Sequence, residues 1–219
     1  MNISENIQKY KEELPQHVTL VAVSKTKPIG DVQEAYEAGQ RIFGENKVQE
    51  MEAKWKELPK DIKWHMIGHV QRNKVKYMAP FVSLIEAVDS PRLLKEINKQ
   101  AKNNERTIEC LLQIKIAEED SKFGMSEADA KELLTSEAFK NYKNILVVGL
   151  MGMATFTEDE AQIRNEFKKL KRIYDDFSKT QKNFSVVSMG MSGDYKIAVE
   201  EGSTMIRVGS AIFGERNYG

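Results

Sequence analysis

Short apolar runs alternate with longer amphipathic stretches along almost the whole chain. The β-like runs are Thr19–Ser24, Arg41–Phe43, Trp64–Ile67, Val82–Val88, Glu109–Ile116, Ile145–Leu150, Phe184–Ser188 and Met205–Val208. Most are brief and continuously apolar, the pattern of parallel strands buried on both faces. Helical periodicity follows nearly every one. Val48, Met51, Trp55 and Leu58 step by three and four, as do Ile163, Phe167, Leu170, Tyr174 and Phe177 with charges between them. Leu93, Leu94, Ile97 and Ala101 form another stripe, opened by the Ser90-Pro91 cap-and-first-turn signal. An extra helix precedes the first strand, with Ile3, Ile7, Tyr10 and Leu14 on one face. Eight strands, seven crossovers and a short C-terminal segment predict an α/β fold, a single (β/α)8 TIM-type barrel over residues 1–219 with an extra N-terminal helix. An open doubly wound sheet is the alternative. Against it, the first strand ends in Ser24-Lys25-Thr26-Lys27-Pro28 and no G-x-G-x-x-G follows.

Composition narrows the setting. The 219 residues carry 33 Lys+Arg and 33 Asp+Glu, so the formal net charge is zero and the footprint of a general nucleic-acid binder is absent. Hydrophobic residues at 41% and charged residues at 30% suit a packed core under a solvated shell rather than disorder. The longest apolar run, Ile145 to Ala154, is too short to span a bilayer, and Met1 to Glu13 holds no signal-peptide core, so no membrane partner is expected. Cys110 is the only cysteine, which excludes an internal disulfide and fits a cytoplasmic location. It falls in a buried-type strand, where a thiol is inert.

In a barrel the chemistry gathers where strands end, on the C-terminal face. The first strand delivers Lys25 there, and the second delivers Glu45 and Asn46. The third is Trp64-His65-Met66-Ile67-Gly68, and the fifth leads towards Ser121-Lys122-Phe123-Gly124. The sixth ends in Met151-Gly152-Met153-Ala154, the seventh in Ser188-Met189-Gly190-Met191-Ser192-Gly193-Asp194, and the eighth in Arg207-Val208-Gly209-Ser210. Gly190, Gly193 and Gly209 would let backbone N–H groups approach a ligand, Ser192 and Ser210 add hydroxyls, and a helix start after each segment points its positive end the same way. Barrels often bind phosphate at these two loops. The other reading is that the glycines only make tight turns. Lys25 at the barrel mouth, partly desolvated and near Lys27, would have a lowered pKa and could form a Schiff base. The other reading is an ordinary rim lysine with its head in water.

Other signals carry less. His65 and His69 lack the Glu of H-E-x-x-H and have no cysteine beside them, so a metal site is not expected. Gly190-Met191-Ser192-Gly193-Asp194 has its second glycine misplaced for G-x-S-x-G, and no Walker A motif occurs.

Taken together the motifs resemble those of the pyridoxal-phosphate homeostasis family, the YggS/PROSC-type proteins, themselves similar to the barrel (N-terminal) domain of alanine racemase. The resemblance runs from Val21 to Arg216. It is carried by Val21–Pro28, Phe43-Gly44-Glu45-Asn46, Trp64–Gly68 with Gln71, Asn73 and Lys74, and Lys122-Phe123-Gly124. Leu150–Met153, Ser188–Ser192, Gly202–Gly209 and Ile212-Phe213-Gly214 continue it. It implies that the cofactor is pyridoxal 5′-phosphate (PLP) and that Lys25 forms the internal aldimine. It implies that Ser192, Gly209 and Ser210 cradle the phosphate, that Arg207 faces the pyridine nitrogen and that Asn46 lines the ring side. Lys47, His69 and Gly193 depart from the family pattern, where an aromatic residue, a residue such as proline and a polar residue are expected.

An arginine opposite the pyridine nitrogen cannot lend a proton at ordinary pH, so the ring is a poor electron sink. Alanine racemase adds a second, β-rich domain and a tyrosine from its partner subunit, for which this chain has no segment past the eighth strand. The resemblance therefore implies a cytoplasmic, monomeric PLP-binding protein that buffers the cofactor or delivers it to PLP-requiring apoenzymes without robust catalysis. A PLP-dependent amino-acid racemase is the leading alternative, ahead of a cofactor-free aldolase-like barrel and a non-binding scaffold.

Overall fold

The computed structural model describes residues 2–118 and 123–214. Helix α1 (Ile3–Glu13) precedes eight strands that alternate with helices: β1 (Thr19–Val23), α2 (Ile29–Glu37), β2 (Ile42–Glu45), α3 (Val48–Glu57), β3 (Lys63–Met66), α4 (Val75–Met78), β4 (Leu84–Val88), α5 (Pro91–Asn103) and β5 (Ile108–Gln113). The order continues with α6 (Glu127–Thr135), α7 (Glu137–Lys140), β6 (Ile145–Met151), α8 (Glu160–Ser178), β7 (Val186–Ser188), α9 (Tyr195–Glu200), β8 (Met205–Val208) and α10 (Ser210–Phe213). The strands are parallel and close into one barrel in sequence order, β8 pairing β1. The open doubly wound sheet is thereby excluded.

Sequence and structure differ at strand ends. The second strand runs on to Glu45, a polar residue that the apolar pattern omits but the fold buries completely. The fourth starts at Leu84, because Val82 N–H is taken by Met78 O at the end of α4. The seventh starts at Val186, because Phe184 closes a turn onto Gln181 O.

The helices form for local reasons that the sequence carries. Ser90 Oγ accepts Leu93 N–H at 3.3 Å, Pro91 occupies the first turn of α5, and Leu93, Leu94, Ile97 and Ala101 are buried. Asp159 caps α8 through Ala161 and Gln162 N–H groups, and Phe167, Leu170 and Ile173 lie fully buried against the barrel. Each such side chain contributes about 1.5–3 kcal/mol on burial. Because α10 has only 4 residues, it covers little of β8. The extra helix α1 packs between α2 and α10, ties Asn6 Nδ2–H to Ile212 O at 2.9 Å and sets Tyr10 edge-on to Tyr195.

Strand parity sorts the interior. Outward positions such as Phe43, Trp64, Ile85 and Ile206 join the core under the helices. Inward Val21, Leu84, Leu111, Val148 and Met205 fill the lower barrel as a separate apolar cluster. The next inward positions up are polar and buried: His65, Glu86, Gln113, Ser188 and Arg207. Above them the barrel opens.

Candidate functional site

The barrel mouth holds a cavity of about 710 Å³, and all six residues singled out from the sequence line it: Lys25, Asn46, Ser192, Arg207, Gly209 and Ser210. Parity explains the convergence, since β1 sends Val23 and Lys25 inward and Ser24 outward, while β2 sends Gly44 and Asn46 inward and Glu45 outward. Lys25 and Asn46 are half-buried, Arg207 is 4% exposed, and Ser210 is on the surface. Ser121 and Lys122 lie outside the described residues; Phe123 beside them lines the cavity.

Behind Lys25 sits a charge network between barrel and α3. Lys54 Nζ, on a side chain 4% exposed, donates to Glu45 Oε1 at 2.7 Å, to Glu50 Oε1 at 2.8 Å and to Ser24 O at 2.7 Å. Ser24 Oγ–H donates to Glu45 Oε1 at 2.6 Å. Glu50 Oε1 also accepts Thr26 N–H at 2.6 Å, which fixes Thr26 at a φ of 64°. A β-branched residue in the left-handed region costs about 1–3 kcal/mol, so the turn that follows Lys25 is held rather than merely tolerated. Burial raises the Glu45 carboxyl above its ordinary range, Lys54 and Ser24 opposing, and Glu45 Oε2 has no hydrogen-bond partner among the described residues. Lys27 lines the cavity too, with Nζ on Phe213 O at 2.9 Å and Gly214 O at 3.0 Å, where it caps the end of α10.

The floor is a buried chain. His65 Nδ1 lies 2.8 Å from Glu86 Oε1, Ser188 Oγ–H donates to Glu86 Oε2 at 2.6 Å, and Arg207 Nη1 donates to Ser188 Oγ at 2.5 Å. Arg207 Nη2 donates to Gly152 O at 3.2 Å. Burial would push the Glu86 carboxyl up, but His65, Arg207 and Ser188 outweigh it and hold the group below its usual range. Burial also pulls the Arg207 guanidinium down, against Glu86 and Asp194. An arginine stays charged through such a change, so the floor presents a fixed cation.

The wall next to Lys25, reached through the β8–β1 pairing, is built from the loops after β7 and β8. Gly209 N–H donates to Ser192 Oγ at 3.4 Å, and the Ser192 and Ser210 hydroxyl oxygens are 3.5 Å apart. These long contacts leave room for a better acceptor between them. Of the glycines, Gly190 is required by packing: its φ is 101°, and a Cβ there would lie 2.6 Å from Ala198 Cβ. Gly193 faces open space, so its lack of a side chain is not sterically imposed. The helices that follow are short, at 6 and 4 residues, so their first N–H groups matter more than any macrodipole. Asp194 Oδ1 accepts Met191 N–H at 2.6 Å, and burial raises its carboxyl although that bond and Arg207 oppose.

Two parts of the site escape sequence reasoning. Glu166 on α8, 4% exposed, accepts Glu118 N–H at 3.0 Å, Thr155 N–H at 2.6 Å and Thr155 Oγ–H at 2.7 Å, so it ties together the loops after β5 and β6. His69 at the mouth pairs with Asp89 at 2.8 Å. The two histidines thus go to separate carboxylates, and among the described residues no group of three His, Cys, Asp or Glu could hold a metal ion. Burial pushes the Cys110 thiol far up, as an inert core cysteine requires. No described helix is long and apolar enough to cross a membrane.

Fold and cavity together define a parallel barrel that opens at its strand ends, and the family model that matches residues 1–217 is that of the alanine racemase N-terminal domain. A human protein named pyridoxal phosphate homeostasis protein is 41% identical over 213 residues, covering 91% of this chain and 77% of that one. Its namesake from Aquifex aeolicus is 37% identical over 204 residues, covering 91% and 87%. The structure of PipY from Synechococcus elongatus, solved with PLP bound, superposes with a TM-score of 0.89 at 34% identity, covering 97% of this chain and all of that one. The chain belongs to the pyridoxal phosphate homeostasis protein family.

Proposed function

We propose that this protein binds PLP in the mouth cavity and serves its homeostasis by holding the cofactor and handing it on, without robust catalysis of its own. The observation that carries the reading is the meeting of three donor types in one cavity: the Lys25 amine, the buried Arg207 guanidinium and the Ser192–Gly209–Ser210 hydroxyl and N–H cluster. That set fits a molecule with an aldehyde at one position, a ring acceptor at another and a phosphate at its end. PLP supplies a carbonyl that binds amines reversibly. In this reading Lys25 takes the carbonyl carbon, Ser192, Gly209 and Ser210 bind the phosphate oxygens, Asn46 borders the ring and Arg207 faces its nitrogen. A guanidinium there gives a hydrogen bond without giving up its proton, which withholds the electron sink that most PLP catalysis needs. The α3 network keeps Lys25 aimed inward, and the Glu86–Ser188 chain keeps Arg207 on the floor.

The family name borne by the relatives supports this role, and so does the PLP-bound neighbour. The test is an absorbance spectrum of purified protein incubated with PLP, then borohydride reduction and peptide mass mapping. A pyridoxyl group fixed on Lys25 is expected. A protein that stays colourless and unlabelled overturns the reading. Lys25→Ala should abolish the label yet keep phosphate-anchored binding, weakened by about tenfold or more. Complete loss of binding in that variant would contradict the division of labour. Negligible solvent-deuterium incorporation at the α-carbon of added amino acids is the expected sign of a carrier, and rapid incorporation that of a racemase-like enzyme.

A further inference from the structure

One side chain on the cavity wall, His69, is paired with a carboxylate behind the wall and is given no role in the PLP reading above. His69 stands three residues past β3 and Asp89 directly follows β4. The two strands are parallel neighbours, so the loops that leave them run side by side. His69 Nδ1 lies 2.8 Å from Asp89 Oδ2, with the aspartate side chain 11% exposed and the imidazole 43% exposed. An ionised carboxylate only accepts hydrogen bonds, so in the neutral imidazole this pairing puts the hydrogen on Nδ1 and leaves the lone pair on Nε2. One face of the ring stacks on Phe123, centroids 4.3 Å apart and planes 24° from parallel. His69 is thus fixed at an edge and on a face, and it lines the same cavity as Lys25. The contrast with His65 is informative. That imidazole also binds a carboxylate, but it is 5% exposed inside the barrel and is not on the cavity wall.

We propose that His69, oriented by Asp89, carries protons for primary amines that exchange with Lys25 at the cofactor's carbonyl carbon. The proposal rests on the PLP reading above. An amine arrives in neutral solution as an ammonium and has no lone pair to attack with. During exchange a carbon–nitrogen bond forms to the incoming nitrogen and the bond to Lys25 Nζ breaks. With the imine nitrogen protonated at the start and at the end, two protons pass from the incoming nitrogen to Nζ, the overall charge is unchanged, and no oxidant or reductant is needed. His69 Nε2 takes the first proton, which frees the lone pair, and returns it to Nζ after attack. It then takes the second from the newly bonded nitrogen, whose lone pair expels Nζ as the free amine, and delivers that proton to the departed amine. The imidazolium that forms in between is paired with Asp89, an arrangement that lets an imidazole accept and return a proton. His69 is the group that moves the proton, and Asp89 is a positioning residue that acts through it.

The experiment loads wild type, His69→Phe and Asp89→Asn with PLP, confirms loading by borohydride labelling, and follows the spectral change on mixing with glycine. His69→Phe keeps a ring to stack on Phe123. It should load to the same extent and exchange about 10²- to 10⁴-fold more slowly, with the rate partly restored by added imidazole. Asp89→Asn should slow exchange about tenfold. Nitrogen-15 spectra of the same variant without PLP should show His69 changing from one tautomer to a mixture. Exchange in His69→Phe within twofold of wild type overturns the proposal, as does a loss that imidazole does not rescue. A wild-type protein that never loads fails the PLP reading itself, whereas a loaded His69→Phe that exchanges normally fails only the role of His69.

Discussion

The two walls of the cavity are built on opposite principles. The wall that carries Lys25 is backed by buried charges, with Lys54 bound to Glu45 and Glu50 at 2.7 and 2.8 Å and Thr26 held in the left-handed region. The wall that carries Ser192 and Ser210 is backed by hydroxyl contacts of 3.4 and 3.5 Å and by helices of one or two turns. A covalent anchor requires one fixed direction of attack, and short charge-assisted bonds supply it. A site that must take up and release an anion gains from donors that are only weakly satisfied by one another. In the proposed reading, rigidity therefore resides where the bond to the cofactor would form, and slack where its phosphate would enter and leave.

The largest expected effect breaks the rigid wall. Lys54→Met leaves Glu45 buried without its cation and should cost about 3–5 kcal/mol in denaturant unfolding. The double variant Lys54→Met with Glu45→Leu should recover most of that stability, because an apolar pair removes the charge that would otherwise be stranded. Recovery of stability without recovery of Lys25 labelling would separate the network's positioning role from its structural one. On the slack wall, Ser192→Ala should leave stability within about 0.5 kcal/mol but weaken PLP binding about tenfold to a hundredfold, as loss of a hydrogen bond to a charged group does. Unchanged affinity in calorimetric titration would remove Ser192 from the phosphate site.

Glu166 is an intermediate case, a carboxylate satisfied by backbone N–H groups instead of a cation. Burial would raise its carboxyl, but the bonds from Thr155, Glu118 and Gln162 prevail and hold it low. A carboxyl lowered in the folded state adds stability that is complete above its unfolded value, about 4.3, and is lost as pH falls through the folded one. Glu166→Gln should cost about 1–3 kcal/mol at neutral pH and make the decline of stability below about pH 4.3 shallower. An acid limb as steep as in wild type would assign that limb to other carboxylates, Glu86 first. The smallest effect is expected at Gly193, which faces open space. Gly193→Ala should move stability by less than about 0.5 kcal/mol and leave Lys25 labelling unchanged.

The residues on the cavity wall were legible because a barrel turns position after a strand into position in space. Lys25, Asn46, Arg207 and Ser192 follow or end apolar runs, and strand parity brings them together. The residues behind the wall were harder to read, because each is a polar side chain on an apolar stripe. Lys54 lies three residues past Met51 and four before Leu58, and Glu166 stands likewise between Ile163 and Leu170. A charge at such a position in an otherwise apolar stripe is the signal that could have marked both. The His69–Asp89 pair had none, since a sequence separation of 20 is bridged only when β3 and β4 pair. Strand ends were misjudged where a turn captured an apolar residue, as at Val82, or where a strand used a buried acid, as at Glu45.

The division of inward and outward positions has a consequence for how this chain can change. Ser24 and Lys25 are adjacent, yet one serves the layer under α3 and the other the cavity; Glu45 and Asn46 divide in the same way. Deleting one residue from β1 would turn the amine into the ion-pair layer and the hydroxyl into the cavity, disabling both at once. The site can therefore be retuned by replacing side chains but not by shifting the reading frame of a strand. Families of variants built by insertion and deletion should be empty in β1 and β2 and populated in the loops outside them.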